Sequence, residues 1–167
     1  MMKKSVLLNK DFWNNRYIES KTGWDVGVIT TPLKEYFDQL NDKKIKILIP
    51  GCGNSYEAEY LFENKFINTY VVDYSEQALN NFCKRVPGFS KSKLLSNDFF
   101  NVEGKFDLII EQTFFCAIDK SRRSDYFVKM NDLLNPNGKL VGLLFNDSLN
   151  ENHPPFGGSK SEYKEYF

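Results

Sequence analysis

The chain has 167 residues, with 22 basic and 22 acidic side chains and a formal net charge of zero at pH 7. This balance provides no basic surface for nucleic acid or an anionic membrane, and a single histidine excludes a histidine-rich metal site. Hydrophobic residues make up 41% of the sequence, and no apolar run is long enough to cross a membrane. The three cysteines form no CxxC pair. The sequence therefore predicts one globular domain in a reducing cytoplasm.

Two helices separated by a loop precede the first strand. The first opens near Phe12, and the second opens at Pro32, a residue type that is favoured in the first helical turn. Gly23 and Gly27 mark the loop between them. We interpret residues 1–42 as a helical lid and expect the rest of the chain to form the core.

Strands and helices alternate through the predicted core, residues 43–167. The strands are predicted at residues 45–49, 69–73, 93–95, 106–110 and 140–145. Helices are predicted between them, at residues 54–62, 76–85 and 122–134. Continuous apolar strands alternating with helices are typical of an α/β fold with a doubly wound, mostly parallel sheet that is covered on both faces.

Helix ends can also be placed from single residues. Asn54 with Glu57 is typical of a capping box, and Ser75 predicts the cap of the next helix. Residues 135–138 predict the end of the last core helix. The chain finishes on the aromatic-rich segment 162–167 without a following strand, so we expect a C-terminal truncation.

A glycine turn follows the first predicted strand. Gly51 and Gly53 form this turn, and Asp73 ends the second strand twenty residues after Gly53. Glycines allow the backbone to approach a nucleoside, and the carboxylate can accept both ribose hydroxyls. Tyr56 stands where a dinucleotide fingerprint has its third glycine, which disfavours NAD.

A second carboxylate, Asp98, follows the third strand. The glycine turn with two carboxylates favours S-adenosylmethionine: the turn lies under the amino-acid portion, Asp73 binds the ribose and Asp98 reaches the adenine amino group. Phe99 would flank the adenine. As alternatives, both acids could be helix caps or solvated turn residues, and Cys52 could be a small packing residue.

Together these motifs resemble the thiopurine methyltransferase family, a branch of the class I S-adenosylmethionine-dependent methyltransferases. The resemblance rests on residues 12–17, 23–25, 49–53, 72–73, 98–100, 106–110, 113–118 and 153–156. Residues 113–117 and the Gly-Trp-Asp loop are similar to its halide/thiol methyltransferase branch. The resemblance implies a Rossmann-like fold that lacks the family's last two strands in this chain. It also implies cofactor contacts at Trp13, Tyr17, Trp24, Gly51, Gly53, Asp73, Asp98, Phe99 and Gln112.

Gln112 departs from both branches, because the drug-metabolising thiopurine enzymes carry arginine there and the halide/thiol branch carries tyrosine. The resemblance implies methyl transfer to a thiol, bisulfide, thiocyanate or halide by in-line displacement. Candidates for the substrate pocket are Trp13, Trp24, Val28, Phe114, Phe115, Cys116 and Phe156. We assign no catalytic residue; Asp119, Asp147 and His153 are the candidate bases for a neutral thiol.

Two other functions stay open on the sequence. One is a catalytically degenerate methyltransferase-like module that binds S-adenosylmethionine without turnover. The other is an NAD-type oxidoreductase, which Tyr56 disfavours. We expect no metal, no nucleic-acid partner and no membrane association, and the oligomeric state is not predicted.

Overall fold

The structure is a computed structural model that describes residues 7–166. Its five strands are β1 (Ile47–Pro50), β2 (Thr69–Asp73), β3 (Leu94–Ser96), β4 (Phe106–Gln112) and β5 (Leu134–Leu143). Its α-helices are α1 (Lys10–Ile18), α2 (Thr31–Asp38), α3 (Tyr56–Glu63), α4 (Glu76–Arg85), α5 (Arg123–Leu133) and α6 (Lys160–Tyr163). Phe167, which ends the last predicted segment, lies outside the described residues.

The five strands form one parallel sheet in the order β3-β2-β1-β4-β5. All four residues of β1 are buried, as expected for a central strand covered on both faces. Ile47 and Ile49 belong to one hydrophobic core and Leu48 belongs to the other. Since neighbouring side chains of a strand point to opposite faces, the two cores lie on opposite sides of the sheet. The predicted α/β class is confirmed.

The cap prediction is wrong for α3 and confirmed for α4. Helix α3 begins at Tyr56, and Ser55 precedes it at φ 57° without a side-chain cap. The Asn54 side-chain amide instead donates a hydrogen bond to the Asp25 carboxylate. At α4, the Ser75 hydroxyl accepts the Ala78 N–H at 3.1 Å, as predicted.

Strand β5 differs from its prediction in length and burial. It starts at Leu134 and includes residues 135–138, which were expected to lie in a helix stop outside the strand. Its pairing with β4 shifts register: Leu134 pairs with Phe106, but Lys139 is the next to pair, with Leu108. Residues 135–138 of β5 therefore form an irregular bulge. Because β5 is the last strand in the order, it is only partly covered, and Leu143 is 41% exposed.

Helix α1 lies against α4 and buries no residue of its own. The Asn14 side-chain oxygen accepts two hydrogen bonds from the start of α4, from the Ser75 hydroxyl at 3.1 Å and from the Gln77 N–H at 3.0 Å. Lys10 forms an ion pair with Glu76. Polar contacts therefore hold α1 over the sheet edge. Among the described residues, no helix has both the length and the apolarity needed to span a membrane.

Candidate functional site

A cavity of about 570 Å³ lies at the carboxyl end of the sheet. Residues that follow four different strands line it: Gly51 after β1, Asp73 at the end of β2, Asp98 after β3 and Phe114 after β4. Strand β1 pairs with β2 on one side and with β4 on the other, so the strand order changes direction at β1. Ligands of doubly wound sheets bind at such a switch point.

The turn after β1 requires glycine at position 51. Gly51 has φ 55°, and a Cβ there would lie 2.0 Å from the Phe114 Cδ2 atom. A side chain would therefore be strained and would also displace the Phe114 ring. The Phe114 ring and the Gly51 backbone together form one wall of the cavity.

Gly53 makes a similar contact with the lid. It has φ 53°, and a Cβ there would lie 2.5 Å from the Tyr17 hydroxyl oxygen. Burial is the main cause that raises the pKa of Tyr17, and nearby Asp73 also raises it. The Tyr17 phenol is therefore neutral and packs tightly on the glycine turn.

Asp73 lies at the centre of the site with both carboxylate oxygens positioned by backbone groups. One oxygen accepts the Gly53 N–H at 2.8 Å and the other accepts the Ser75 N–H at 2.7 Å. The side chain is 9% exposed, and burial raises its pKa while these hydrogen bonds lower it. Each oxygen keeps a lone pair for a further donor, so the carboxylate can accept a pair of hydroxyls.

Asp98 lines the same cavity, beside a group of aromatic side chains. One of its oxygens accepts the Phe100 N–H at 2.9 Å, which fixes the short 3₁₀ turn of residues 99–101. The Arg122 guanidinium lies 3.6 Å from the centre of the Phe100 ring. Burial, followed by the effect of Asp98, raises the pKa of Tyr74 to about 12. Sequence reasoning missed Tyr74, although it directly follows Asp73.

The lid contributes an aromatic wall. Trp24 makes edge contacts with Trp13 and Tyr17, with ring centres 5.7 Å and 6.0 Å away. Trp13 also contacts Phe12 at 5.0 Å. All four line the large cavity. The sequence-predicted lid residues Trp13, Tyr17 and Trp24 are therefore brought together with Gly51, Asp73 and Asp98.

The turn after β4 separates two neighbouring phenylalanines. Phe114 lines the large cavity, whereas Phe115 is 1% exposed and packs in the core against Tyr126, with ring centres 4.9 Å apart. The turn has Thr113 at φ 57° and is held by Glu111, whose carboxylate accepts the N–H groups of both phenylalanines at 2.9 Å. Glu111 was missed as a site-forming residue, although a charge that ends an apolar strand could have drawn attention to it.

Cys116 and Phe156, two further candidates for the substrate pocket, lie in different places. Cys116 lines the large cavity, and burial raises the pKa of its thiol to about 12. Phe156 is 5% exposed and lies outside both this cavity and the smaller one described next. Its N–H donates to the Cys116 carbonyl at 2.7 Å, so its backbone helps to position the cavity wall. Phe115 and Phe156 were predicted to line the substrate pocket, but neither of them lines the large cavity.

A second, smaller cavity of about 60 Å³ lies on the other side of the glycine turn. Val28 and Gln112 line this cavity and not the large one. Gln112 accepts a hydrogen bond from the Thr30 hydroxyl at 2.7 Å, which ties the end of β4 to the lid. Gln112 and Val28 therefore lie in a different cavity from Asp73 and Asp98, which line the large one.

The candidate bases are poorly placed to accept a proton. Asp119 lines the large cavity, but hydrogen bonds from the Ser121 side chain and backbone lower its pKa. His153 is exposed, and its ring contacts the Pro154 carbonyl at 3.0 Å. Asp147 is also exposed and does not line either cavity. Within residues 7–166, no cluster of histidine, cysteine and acidic side chains could hold a metal ion.

Comparisons with known proteins point to one family. The family model described as "Thiopurine S-methyltransferase (TPMT)" matches residues 8–167. A probable thiol methyltransferase 2 of Arabidopsis thaliana is 31% identical over 160 residues, which cover 92% of this chain and 70% of the relative. Thiocyanate methyltransferase 1 of Brassica oleracea is 27% identical, with 92% and 70% covered.

A solved structure has a similar fold at low sequence identity. Burkholderia thailandensis 1,6-didemethyltoxoflavin-N1-methyltransferase, crystallised with 1,6-didemethyltoxoflavin and S-adenosylhomocysteine, has a TM-score of 0.76 and 13% identity. The match covers 94% of this chain and 73% of that one. At this identity the likeness supports the Rossmann-like fold only.

Proposed function

The chain belongs to the thiopurine S-methyltransferase family and is an S-adenosylmethionine-dependent methyltransferase, and on this premise we propose that it methylates small anionic nucleophiles. The proposed acceptors are bisulfide, thiocyanate, halide or a small thiolate. The observation that carries this is the lining of the large cavity, which combines aromatic walls with three basic side chains, Arg16, Lys21 and Arg122. Three acidic side chains also line it, and two of them, Asp73 and Asp98, are proposed contacts of the cofactor. Aromatic walls exclude water, and basic groups attract an anion.

The residues of the large cavity fit the cofactor. Asp73 offers a buried carboxylate whose two oxygens are aimed by backbone N–H groups, which suits a ribose diol. Asp98 and the Phe99 ring lie beyond it, where an adenine amino group and ring face can be bound. Gly51 leaves the backbone open towards the ligand. We propose these four residues, with Trp13, Tyr17 and Trp24, as the cofactor contacts.

The cofactor supplies an electrophilic methyl group on a positively charged sulfur. The contribution of the protein is to align the nucleophile and to keep water away from both partners. The Trp13, Trp24 and Phe114 rings line the cavity and can do this. Their faces also attract a cation, by about 0.5–2 kcal/mol for each good contact. Residues 1–42 act as the lid in this proposal, and residues 43–167 act as the core.

An anionic nucleophile agrees with the shortage of bases. Asp119 is the candidate base that lines the large cavity, and its hydrogen bonds with Ser121 favour the charged carboxylate with a lowered pKa. A carboxylate with a lowered pKa is a weak acceptor for a thiol proton. A nucleophile that enters already charged needs no such acceptor. We therefore propose that the protein selects acceptors that already carry a negative charge.

The test is a product assay with the purified chain and S-adenosylmethionine. Iodide, thiocyanate, bisulfide and a small aliphatic thiol are compared at the same concentration, and S-adenosylhomocysteine release is measured. We expect turnover with at least one anion, and a thiol rate that rises with pH as the thiolate fraction rises. An increase in ionic strength should raise KM for the anion, because salt screens the basic side chains.

Two results would contradict the proposal. Binding of S-adenosylhomocysteine without turnover on any of these acceptors would favour the degenerate binding module. A thiol rate that is independent of pH between 6 and 9 would contradict entry as thiolate. Calorimetry with NADH, run in parallel, is expected to give no heat of binding.

A further inference from the structure

The β5–α6 loop, residues 144–159, forms part of the wall of the large cavity. Its cavity-lining residues are Phe145, Pro154 and Pro155. Strand β5 is the last in the strand order, whereas β3, which precedes Asp98, is the first. Four strand spacings of about 4.8 Å separate these two strands. Since the nucleoside end of the cofactor is proposed at β2 and β3, the wall beside β5 is left for the methyl acceptor.

The two prolines of this wall cannot fasten it to the core by their own backbone donors. Proline has no backbone N–H, so neither Pro154 nor Pro155 can donate a main-chain hydrogen bond. The Pro155 carbonyl accepts hydrogen bonds from the backbone N–H and the side-chain amide of Asn150, at 3.3 Å and 3.2 Å. Asn150 belongs to the same loop, so these bonds shape the loop without tying it to the sheet.

The next two residues of the loop are bonded to the core. The Phe156 N–H donates to the Cys116 carbonyl at 2.7 Å, and both of these groups belong to the main chain. The Gly157 carbonyl accepts a hydrogen bond from the Arg123 guanidinium, at 2.6 Å from Nη2. The second of these bonds depends on a side chain, that of Arg123 at the start of α5.

Arg123 contacts the loop from a buried position between three segments. It is 4% exposed, and the central carbon of its guanidinium lies 4.7 Å from the centre of the Phe115 ring. Its Nη1 atom forms an ion pair with Glu162 of α6. One guanidinium therefore joins the turn after β4, the loop at Gly157 and the last helix.

Stability alone does not account for a charge at this position. The Arg123 Nε atom is buried and has no hydrogen-bond partner among the described residues. The Glu162 side chain is 33% exposed, so water competes for its carboxylate. Removal of a guanidinium from water costs free energy that an imperfect pair does not recover in full. The planar guanidinium does fix the directions of its N–H groups, and it thereby sets where Gly157 lies relative to Phe115.

We propose that Arg123 is a positioning residue for methyl transfer, which holds the β5–α6 loop so that Pro154 and Pro155 form the acceptor side of the large cavity. This inference rests on the proposed function, because it requires an acceptor at this wall. Arg123 lines neither cavity, so it acts through the loop and not by contact with the acceptor. A misplacement of about 1 Å in such a wall can lower the rate of a positioned reaction about hundredfold.

The variant Arg123→Met tests this role, because methionine fills much of the same space and donates no hydrogen bond. We expect KM for the acceptor to rise about tenfold, while kcat and the Kd of S-adenosylhomocysteine each stay within about threefold of wild type. The acceptor used is whichever of iodide, thiocyanate and bisulfide the wild-type chain methylates fastest. An unchanged KM for the acceptor, or an equal loss of S-adenosylhomocysteine affinity, would overturn the inference.

Met130→Ala is the control for general loss of stability. Met130 is a buried residue of the same helix and lines neither cavity. Its truncation should lower the free energy of unfolding by about 2–5 kcal/mol and leave KM for the acceptor within about twofold of wild type. A rise in KM equal to that of Arg123→Met would show that any destabilisation has this effect, and it would overturn the role of Arg123.

Hydrogen exchange gives a readout that does not depend on turnover. The Phe156 amide should lose protection about tenfold or more in Arg123→Met, beyond any loss at the Leu48 amide in β1. Equal losses at the two amides would contradict a positioning role.

Arg123→Lys covers the case in which Arg123→Met does not fold. Lysine keeps the charge beside Glu162 but has one nitrogen in place of three, so it cannot reproduce the fork to Glu162 and Gly157. We expect KM for the acceptor to exceed that of wild type by more than about twofold. A folded Arg123→Lys protein with the wild-type KM would overturn the inference.

The two proposals fail separately. If the wild-type chain methylates no acceptor, the proposed function is contradicted, and the exchange comparison still decides whether Arg123 holds the loop. If the wild-type chain is active and the Arg123 variants keep its KM, the positioning role alone is contradicted.

Discussion

Glu111 and Tyr126 form a buried hydrogen bond beneath the turn that follows β4, with the tyrosine hydroxyl donating to a carboxylate oxygen at 2.6 Å. The other carboxylate oxygen accepts the Phe114 and Phe115 N–H groups, each at 2.9 Å. Thr113 adopts φ 57° in this turn, a conformation that a β-branched residue rarely adopts. The Glu111 carboxylate therefore holds the turn that directs one phenylalanine to the cavity and the other to the core.

Replacement of this carboxylate should destabilise the fold. Glu111→Ala leaves the partly buried Phe114 N–H, the buried Phe115 N–H and the Tyr126 hydroxyl without an acceptor, and each buried group left in this way costs about 1–3 kcal/mol. We expect the free energy of unfolding, measured in urea, to fall by about 3–5 kcal/mol. Glu103→Ala makes the same change at an exposed position and should cost less than about 0.5 kcal/mol. A loss below about 1 kcal/mol at Glu111 would contradict its role.

The same residue predicts how stability changes with pH. Burial raises the pKa of Glu111 from 4.5 to about 7 in the folded chain, while hydrogen bonds from Tyr126 and the turn lower it in part. Between these two values the unfolded chain loses the proton and the folded chain keeps it. The unfolded state therefore binds fewer protons, and stability falls as the pH rises through this range.

The fall expected from Glu111 alone is about 3 kcal/mol between pH 4.5 and pH 7, with no further change above. It is measured as the difference between wild type and Glu111→Gln in urea unfolding at several pH values. The neutral amide does not titrate, so the variant should lack this part of the slope. Asp73 and Glu57, whose pKa values burial also raises, are present in both proteins and cancel. Parallel curves for the two proteins would refute the prediction.

The sequence predicted the sheet well because its signals are local. The apolar runs and the glycine turn placed β1, β2 and β4 within two residues of their ends, and parallel pairing then brought Asp73 and Asp98 to one edge. Strand β5 was less predictable. Its start depends on a bulge opposite Phe106, which is set by pairing with β4 rather than by the residues of β5.

The inward direction of single side chains was not predictable. Phe114 and Phe115 are identical neighbours, and the turn that Glu111 holds through the N–H groups of both directs Phe114 to the cavity and Phe115 to the core. The Asn54–Glu57 pattern matched a capping box, yet Asn54 binds Asp25 of the lid loop and Glu57 faces the small cavity. In the second case a contact with a distant segment, the lid loop at Asp25, overrides the local preference.

Gly51 and Phe114 should be energetically coupled. Gly51→Ala adds a side chain at φ 55°, which costs about 1–2 kcal/mol, and places its Cβ 2.0 Å from the Phe114 ring. We expect a total loss of about 2–4 kcal/mol in the wild type. In a Phe114→Ala background the ring contacts disappear and the contact with the residue 114 Cβ at 2.9 Å remains, so the loss should be smaller than in the wild type by about 1–2 kcal/mol.

Urea unfolding of the four proteins in this double-mutant cycle measures the coupling. Gly23→Ala is the matched control, because no heavy atom lies within 4 Å of the Cβ it would add, and its loss should be the same in both backgrounds. Strict additivity of Gly51→Ala and Phe114→Ala would show that the ring moves aside at no cost. The glycine would then be required by its backbone conformation alone.

The lid tryptophans should affect methyl transfer more than stability. Trp13 lies on α1, a helix that buries no residue, and its ring contacts the Trp24 ring with centres 5.7 Å apart; both rings line the large cavity. Loss of one aromatic face removes about 1 kcal/mol or more of attraction for the sulfonium and admits water, so Trp13→Ala should lower kcat/KM about tenfold or more. Ile18→Ala changes an exposed position of the same helix and should stay within about twofold of wild type. Unchanged rates for both Trp13→Ala and Trp24→Ala would remove the lid from the mechanism, and catalysis would then depend on the core residues of the cavity alone.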